Sequence, residues 1–199
     1  MMFGWTRYLS IEEEFLKARY YVAFDVETAH SDFLSKSIIL LGAEIEHAFK
    51  KLCKIIDEKA ERGKIEDYKK IILQEMPGIV DLKSTLRENE EVEYFPFKNW
   101  QQGSLFWWTF YNKVKHNEDD KNATMNVALN MLSTYQLLLF LIEGYNGEVE
   151  EECTAYTQIE IPRVLVPDIG MYVGQTTQHE GIFCWIFDAS NLKEKLSQK

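Results

Sequence analysis

Hydrophobic positions along this chain recur mostly at the period of a helix. Leu34, Ile38, Leu41, Ile45, Phe49, Leu52 and Ile56 follow one another at three- and four-residue steps, the spacing that gathers side chains on one face of an α-helix. Ser31 stands ahead of them as an N-cap, and the pattern fades near Arg62-Gly63. Upstream, Ser10 and Glu13 have the spacing of a capping box, and Glu12, Glu13 and Glu14 suit the positive end of a helix dipole. These signals predict a first helix from Ile11 to Thr28. A third is expected from Ile65 to Glu75, closed by Pro77-Gly78, with Ile79 to Leu86 adding a few turns.

The stretch Arg87 to Trp100 is acidic, then aromatic, and contains Pro96; it reads as an ordered loop. Helical pattern returns at Ser104, where Leu105, Trp107, Trp108, Phe110, Tyr111 and Val114 crowd a helix ending near His116. Asn122 then caps a long helix carrying Val127, Met131, Leu132, Tyr135, Leu138, Leu139 and Ile142, which Gly144 to Gly147 ends. Beyond Gly147 the texture changes. An acidic run, Glu148 to Glu152, precedes short β-branched or aromatic stretches at Thr154 to Ile161, Arg163 to Val166 and Ile182 to Phe187, the pattern of two to four short strands. Asn191 to Gln198 reads as a frayed terminal helix. The predicted fold is mainly α, a helical bundle over residues 1–147 with a short β-containing C-terminal extension, 148–199, packed on it.

Composition narrows the class. At 199 residues, 46% hydrophobic and 14% aromatic, the chain has material for one substantial core. A formal net charge of -10 disfavours tight non-specific binding to a polyanion, which draws on many Lys and Arg contacts. Cys53, Cys153 and Cys184 have no C-x-x-C spacing, so free thiols are expected and no metal site. The N-terminus has no basic region followed by an apolar stretch, and the most apolar run, Leu137 to Ile142, is short. The expectation is a cytoplasmic protein with no membrane partner and no cofactor.

Candidate chemistry concentrates in Trp107-Trp108-Thr109-Phe110-Tyr111-Asn112-Lys113-Val114-Lys115-His116. Asn112 and His116 are four residues apart and share a helix face, flanked by Lys113 and Lys115. This is a face suited to a negatively charged group, with a histidine whose ordinary pKa suits acid-base work. The competing reading is structural: a histidine in the last turn complements the helix dipole, and aromatics at helical spacing are core.

The sequence Glu44-Ile45-Glu46-His47-Ala48-Phe49-Lys50 on the long helix, then a Tyr-Asn-x-x-Lys-His helix end, a turn and another long helix, resembles the HEPN superfamily of helical-bundle domains. The resemblance covers roughly Ile11 to Tyr145. It implies an up-and-down bundle of the kind common in prokaryotic defence and toxin-antitoxin systems. Active members are metal-independent endoribonucleases, using an Arg, often followed by a polar residue, and a His, with two copies meeting in a homodimer.

On that resemblance Asn112 is the polar position and His116 the motif histidine, while Tyr111, Lys113 and Lys115 would contact substrate. The Arg position falls on Tyr111, or on Phe110 or Thr109 with longer spacing. A phenol cannot replace an always-charged, forked donor. The expectation is therefore a catalytically degenerate module acting through dimerisation or through binding RNA or a partner protein, with the endoribonuclease as alternative. Glu46 and Lys50 read as an ordinary surface pair, in preference to a buried pairing of Glu46 with Asn112 or His116. His47 reads as a helix-surface residue, His30 as part of the interhelical turn and His179 as part of a polar loop.

Overall fold

The computed structural model of this chain describes residues 4–18, 20–24, 28–60, 63–116, 120–146, 156–160, 162–169, 184–188 and 196–197. It is mainly helical with a small antiparallel β part. The helices are α1 (Trp5–Ala18), α2 (Asp32–Ile56), α3 (Ile65–Glu75), α4 (Phe106–Lys115) and α5 (Met125–Asn146). The strands are β1 (Ser84–Leu86), β2 (Asn89–Tyr94), β3 (Tyr156–Glu160), β4 (Leu165–Pro167) and β5 (Cys184–Asp188).

Helix α2 follows its hydrophobic period. The Ser31 hydroxyl accepts from the Leu34 N–H at 3.2 Å, and Leu34, Ile38, Leu41, Ile45, Phe49 and Leu52 are buried. It packs along α5, which is buried on nearly every side. The stretch of α5 from Met125 to Tyr145 is long and apolar enough to cross a membrane by length and composition, yet 94% of its apolar 18-residue window is buried inside the protein. It is the central core helix. It is capped by Thr124, whose hydroxyl accepts from the Val127 N–H at 3.4 Å, and not by Asn122, which sits in a short 3-10 turn.

Three further sequence expectations are corrected. Helix α1 begins at Trp5, not Ile11, and ends at Ala18, not Thr28. Ser10 lies exposed inside it, because burial of Trp5 and Tyr8 against Phe140 and Tyr135 of α5 extends the helix past the capping signal. Gly4 precedes it in the left-handed region, at φ 68°. A Cβ there would come within 2.8 Å of Leu139 and 2.9 Å of the Tyr135 hydroxyl, so glycine serves both the backbone and the close approach.

The second correction is at Ile79 to Leu86, which continues as one 3-10 turn, Pro77–Asp81, and then as strand β1. The third is the expected loop Arg87 to Trp100, which contains β2, paired antiparallel with β1. Strand β4 joins the other side of β1, with Ser84 opposite Pro167 and Leu86 opposite Leu165, giving the order β2-β1-β4. The C-terminal region thus completes a sheet begun in the middle of the chain. Val164, Leu165, Ile169 and Leu196 belong to the same core as the helices. Strands β3 and β5 form a separate antiparallel pair. Of the expected terminal helix, residues 196–197 are described and are helical; the rest lies outside the described residues.

Candidate functional site

Helix α4 lies on α2 where α2 has no side chain. A Cβ at Gly42 would stand 2.1 Å from Cε2 of Tyr111, so the tyrosine ring rests directly on the α2 backbone. One turn further along α2, Glu46 meets the same tyrosine. The Tyr111 hydroxyl donates to Glu46 Oε1 at 2.9 Å, and Lys115 Nζ reaches that same oxygen at 3.3 Å. The Lys115 ammonium also stands 5.2 Å from the centroid of the Tyr111 ring.

These contacts set the local charge. Burial, then the Glu46 carboxylate, pushes the Tyr111 phenol above its ordinary pKa, with Lys115 opposing. The Lys115 ammonium is held above its ordinary value first by the Tyr111 oxygen and then by Glu46. At neutral pH the phenol is therefore neutral and the lysine charged. Lys113 lies over the Phe110 ring at 5.4 Å. Asn112 is half-buried and His116 is exposed as the C-cap of α4, its backbone N–H donating to the Asn112 carbonyl at 3.1 Å.

The Glu46 carboxylate crosses to α4, and no ion pair joins it to Lys50 among the described residues; the expected surface pair is replaced by Tyr111 and Lys115, not by Asn112 or His116. Glu44 takes Arg7 at 2.6 Å and the Tyr135 hydroxyl at 3.4 Å. His47 is exposed on α2, and His30 is exposed in a one-residue bridge to Thr124. His179 lies outside the described residues. Trp107 is core, its indole N–H donating to the Pro96 carbonyl at 2.9 Å. Cys53 is a buried thiol, its pKa pushed up to about 12 by burial. Among the described residues, no group of three or more His, Cys, Asp or Glu side chains is placed to hold a metal ion.

No protein-family model matches the chain, and neither does any curated protein or solved structure. The likeness to HEPN domains therefore stands on the residues quoted above alone.

One polar system escaped sequence reasoning. Glu12, fully buried on α1, accepts through Oε1 from the backbone N–H groups of Arg163 and Val164, both at 2.8 Å, and from the Tyr8 hydroxyl at 3.1 Å. Gln136 donates to the Tyr8 oxygen at 2.8 Å and to the Leu165 carbonyl at 3.0 Å, and accepts from Ser84, which in turn accepts from Ser133. Burial raises the Glu12 pKa, against those hydrogen bonds. The chain ties α1, α5, β1 and the approach to β4 together. Its one sequence signal was the set of polar residues Ser133, Thr134 and Gln136 inside the most apolar helix, since buried polar groups require partners.

Proposed function

We propose that this chain is a non-catalytic, HEPN-like helical module, of the kind used in prokaryotic defence and toxin-antitoxin systems, that acts by binding. Its partner across the α2–α4 face is a second copy of itself. The observation that carries this reading is the use of Glu46. It takes up both the Tyr111 hydroxyl and the Lys115 ammonium, so the residue at the motif's Arg position and the lysine one turn on are engaged inside the fold. A phosphate approaching Lys115 would meet the Glu46 carboxylate, 3.3 Å from the ammonium. The overall charge of -10 also opposes a polyanionic ligand.

Helix α2 supplies the apolar contact for dimerisation. Ile39 and Leu40 are 45% and 48% exposed. An isologous pairing would bury the same residues from both copies.

Light scattering on the purified chain is expected to give a dimer, and an Ile39→Glu, Leu40→Glu double variant a monomer of unchanged helicity. A wild-type monomer at tens of micromolar would remove the dimer. In parallel, no cleavage of single-stranded RNA without metal is expected. Cleavage abolished by His116→Ala or Asn112→Ala would establish the endoribonuclease alternative instead.

A further inference from the structure

A cleft of about 380 Å³ opens between the end of β2, the loop that follows it and the starts of α4 and α5. Its lining includes Phe95, Lys98, Asn99, Phe106, Asn126 and Asn130. The volume is within the range of small-molecule sites. Asn99 holds a backbone φ of 63°, in the left-handed region, while its carbonyl accepts from Gln102 and Gly103 at 3.1 and 3.0 Å. That closure holds one wall of the cleft in place. The Phe95 ring has the ammonium groups of Lys83 and Lys98 against it at 5.8 and 5.7 Å. Phe106, 40% exposed, is the aromatic surface left open.

The two asparagines fix what the cleft can recognise. Asn130, only 5% exposed, donates through Nδ2 to the Asn126 backbone carbonyl at 2.9 Å and to Asn126 Oδ1 at 2.7 Å. Both of its hydrogens are committed. The orientation is determined, because flipping the amide would set oxygen against a carbonyl oxygen. What remains, on two amides joined by that 2.7 Å bond, is the Asn130 Oδ1 acceptor and the Asn126 Nδ2 donor, neither with a hydrogen-bond partner among the described residues. Asn130 is more than nine-tenths buried and still lines the cleft.

An adjacent acceptor and donor match a ligand edge carrying N–H and C=O on the same side. A trans peptide points those two groups in opposite directions and cannot satisfy both. A ring lactam presents them side by side, and its planar ring suits the open face of Phe106. We propose that this cleft is a binding site for a small planar lactam. The ring N–H donates to Asn130 Oδ1, the ring carbonyl accepts from Asn126 Nδ2, and the ring packs on Phe106. The site is independent of the α2–α4 face, so its fate and that of the dimer are separate.

The test is a titration of the full chain, followed through its side-chain and backbone amide NMR signals, with three probes. The first is 2-pyridone, the second 1-methyl-2-pyridone, which lacks the N–H, and the third acetamide, which keeps the edge without the ring. Saturable shifts of the Asn126 and Asn130 side-chain amides are expected with 2-pyridone at about millimolar concentration, the range open to so small a ligand. The N-methyl compound and acetamide should each bind at least tenfold more weakly. Phe106→Ala should weaken 2-pyridone while keeping its preference over the N-methyl compound, and Asn126→Ala should abolish binding. Equal affinity for 2-pyridone and its N-methyl derivative, or no saturable shift with either, overturns the proposal. Acetamide binding as tightly as 2-pyridone would overturn the ring as the recognised feature. The comparison of probes on the wild-type chain needs no variant to fold.

Discussion

An alanine at position 42 would set its methyl 2.1 Å from Cε2 and 2.3 Å from Cζ of Tyr111, far inside contact distance. Two residue-scale effects then oppose each other. Replacing glycine by alanine inside a helix is worth about 1 kcal/mol of intrinsic propensity. Forcing a methyl into a filled contact costs about 1–3 kcal/mol, and the atoms displaced here belong to a ring held by its own hydrogen bond to Glu46. The clash should win. Gly42→Ala is expected to lower the unfolding free energy by up to about 2 kcal/mol in urea titrations, and its cost should shrink when Tyr111→Leu is made in the same chain. A stabilised Gly42→Ala protein would mean that Tyr111 does not rest on α2. The Gly42–Tyr111 contact is invisible to periodicity, which read Leu41 and Ile45 as the working positions of that face. So was the partner of Tyr111: Glu46 lies 65 positions away, and only the crossing of α2 and α4 brings it there.

At the scale of elements, the approach to β4 hangs on one buried carboxylate. Glu12 Oε1 accepts three hydrogen bonds, two of them from the backbone at Arg163 and Val164, while Oε2 is buried without a hydrogen-bond partner. Arg163 Nε stands 4.0 Å from Oε2, and its guanidinium turns to Glu13. Burial dominates and raises the Glu12 pKa above its ordinary value. A carboxyl with a raised folded-state pKa binds more protons folded than unfolded, so its contribution is fully present below the unfolded pKa. That contribution is lost as pH rises through the folded pKa.

Glu12→Gln keeps the Oε1 acceptor and removes the charge. The difference in stability, Gln variant minus wild type, is therefore expected to grow in favour of glutamine from pH 4 to pH 8 in matched urea titrations. A difference that is flat or falls with pH would contradict the raised pKa. The long elements were legible because α2, α3 and α4 each bury a face set by local spacing, and α5 is apolar and buried nearly throughout. Strands β1 and β2 were not. The β2 sequence Asn89-Glu90-Glu91-Val92-Glu93-Tyr94 is acidic and buries only its last residue fully, and its neighbour β1 owes its other edge to β4, some 80 positions on. Local pattern contains no such partner.

For the whole molecule, the change of texture after Gly147 invites the view that residues 1–147 are a self-sufficient bundle. The sheet order β2-β1-β4 argues for a different outcome on truncation. Removing 148–199 strips β4 from β1 and leaves Glu12 without its two backbone donors. It also takes Val164, Leu165, Ile169 and Leu196, each at most 1% exposed, out of the core. Fully burying an apolar side chain of this size contributes roughly 1.5–3 kcal/mol, so four of them rival the about 5–15 kcal/mol by which a whole domain is stable. A carboxylate left in an apolar setting without those donors adds a further cost. A chain ending at Gly147 is therefore expected to keep much of its helical circular dichroism, since α2 and α5 still pack together. It should lose cooperative thermal unfolding and bind hydrophobic dyes, the behaviour of a compact chain with loosened packing. Glu12→Leu in the truncated chain should recover part of the lost cooperativity, because it removes the stranded charge. A truncated chain that melts as sharply as the full one would show the bundle to be complete without its C-terminal strands, and the buried chain from Glu12 to Ser133 to be an addition to an already finished core.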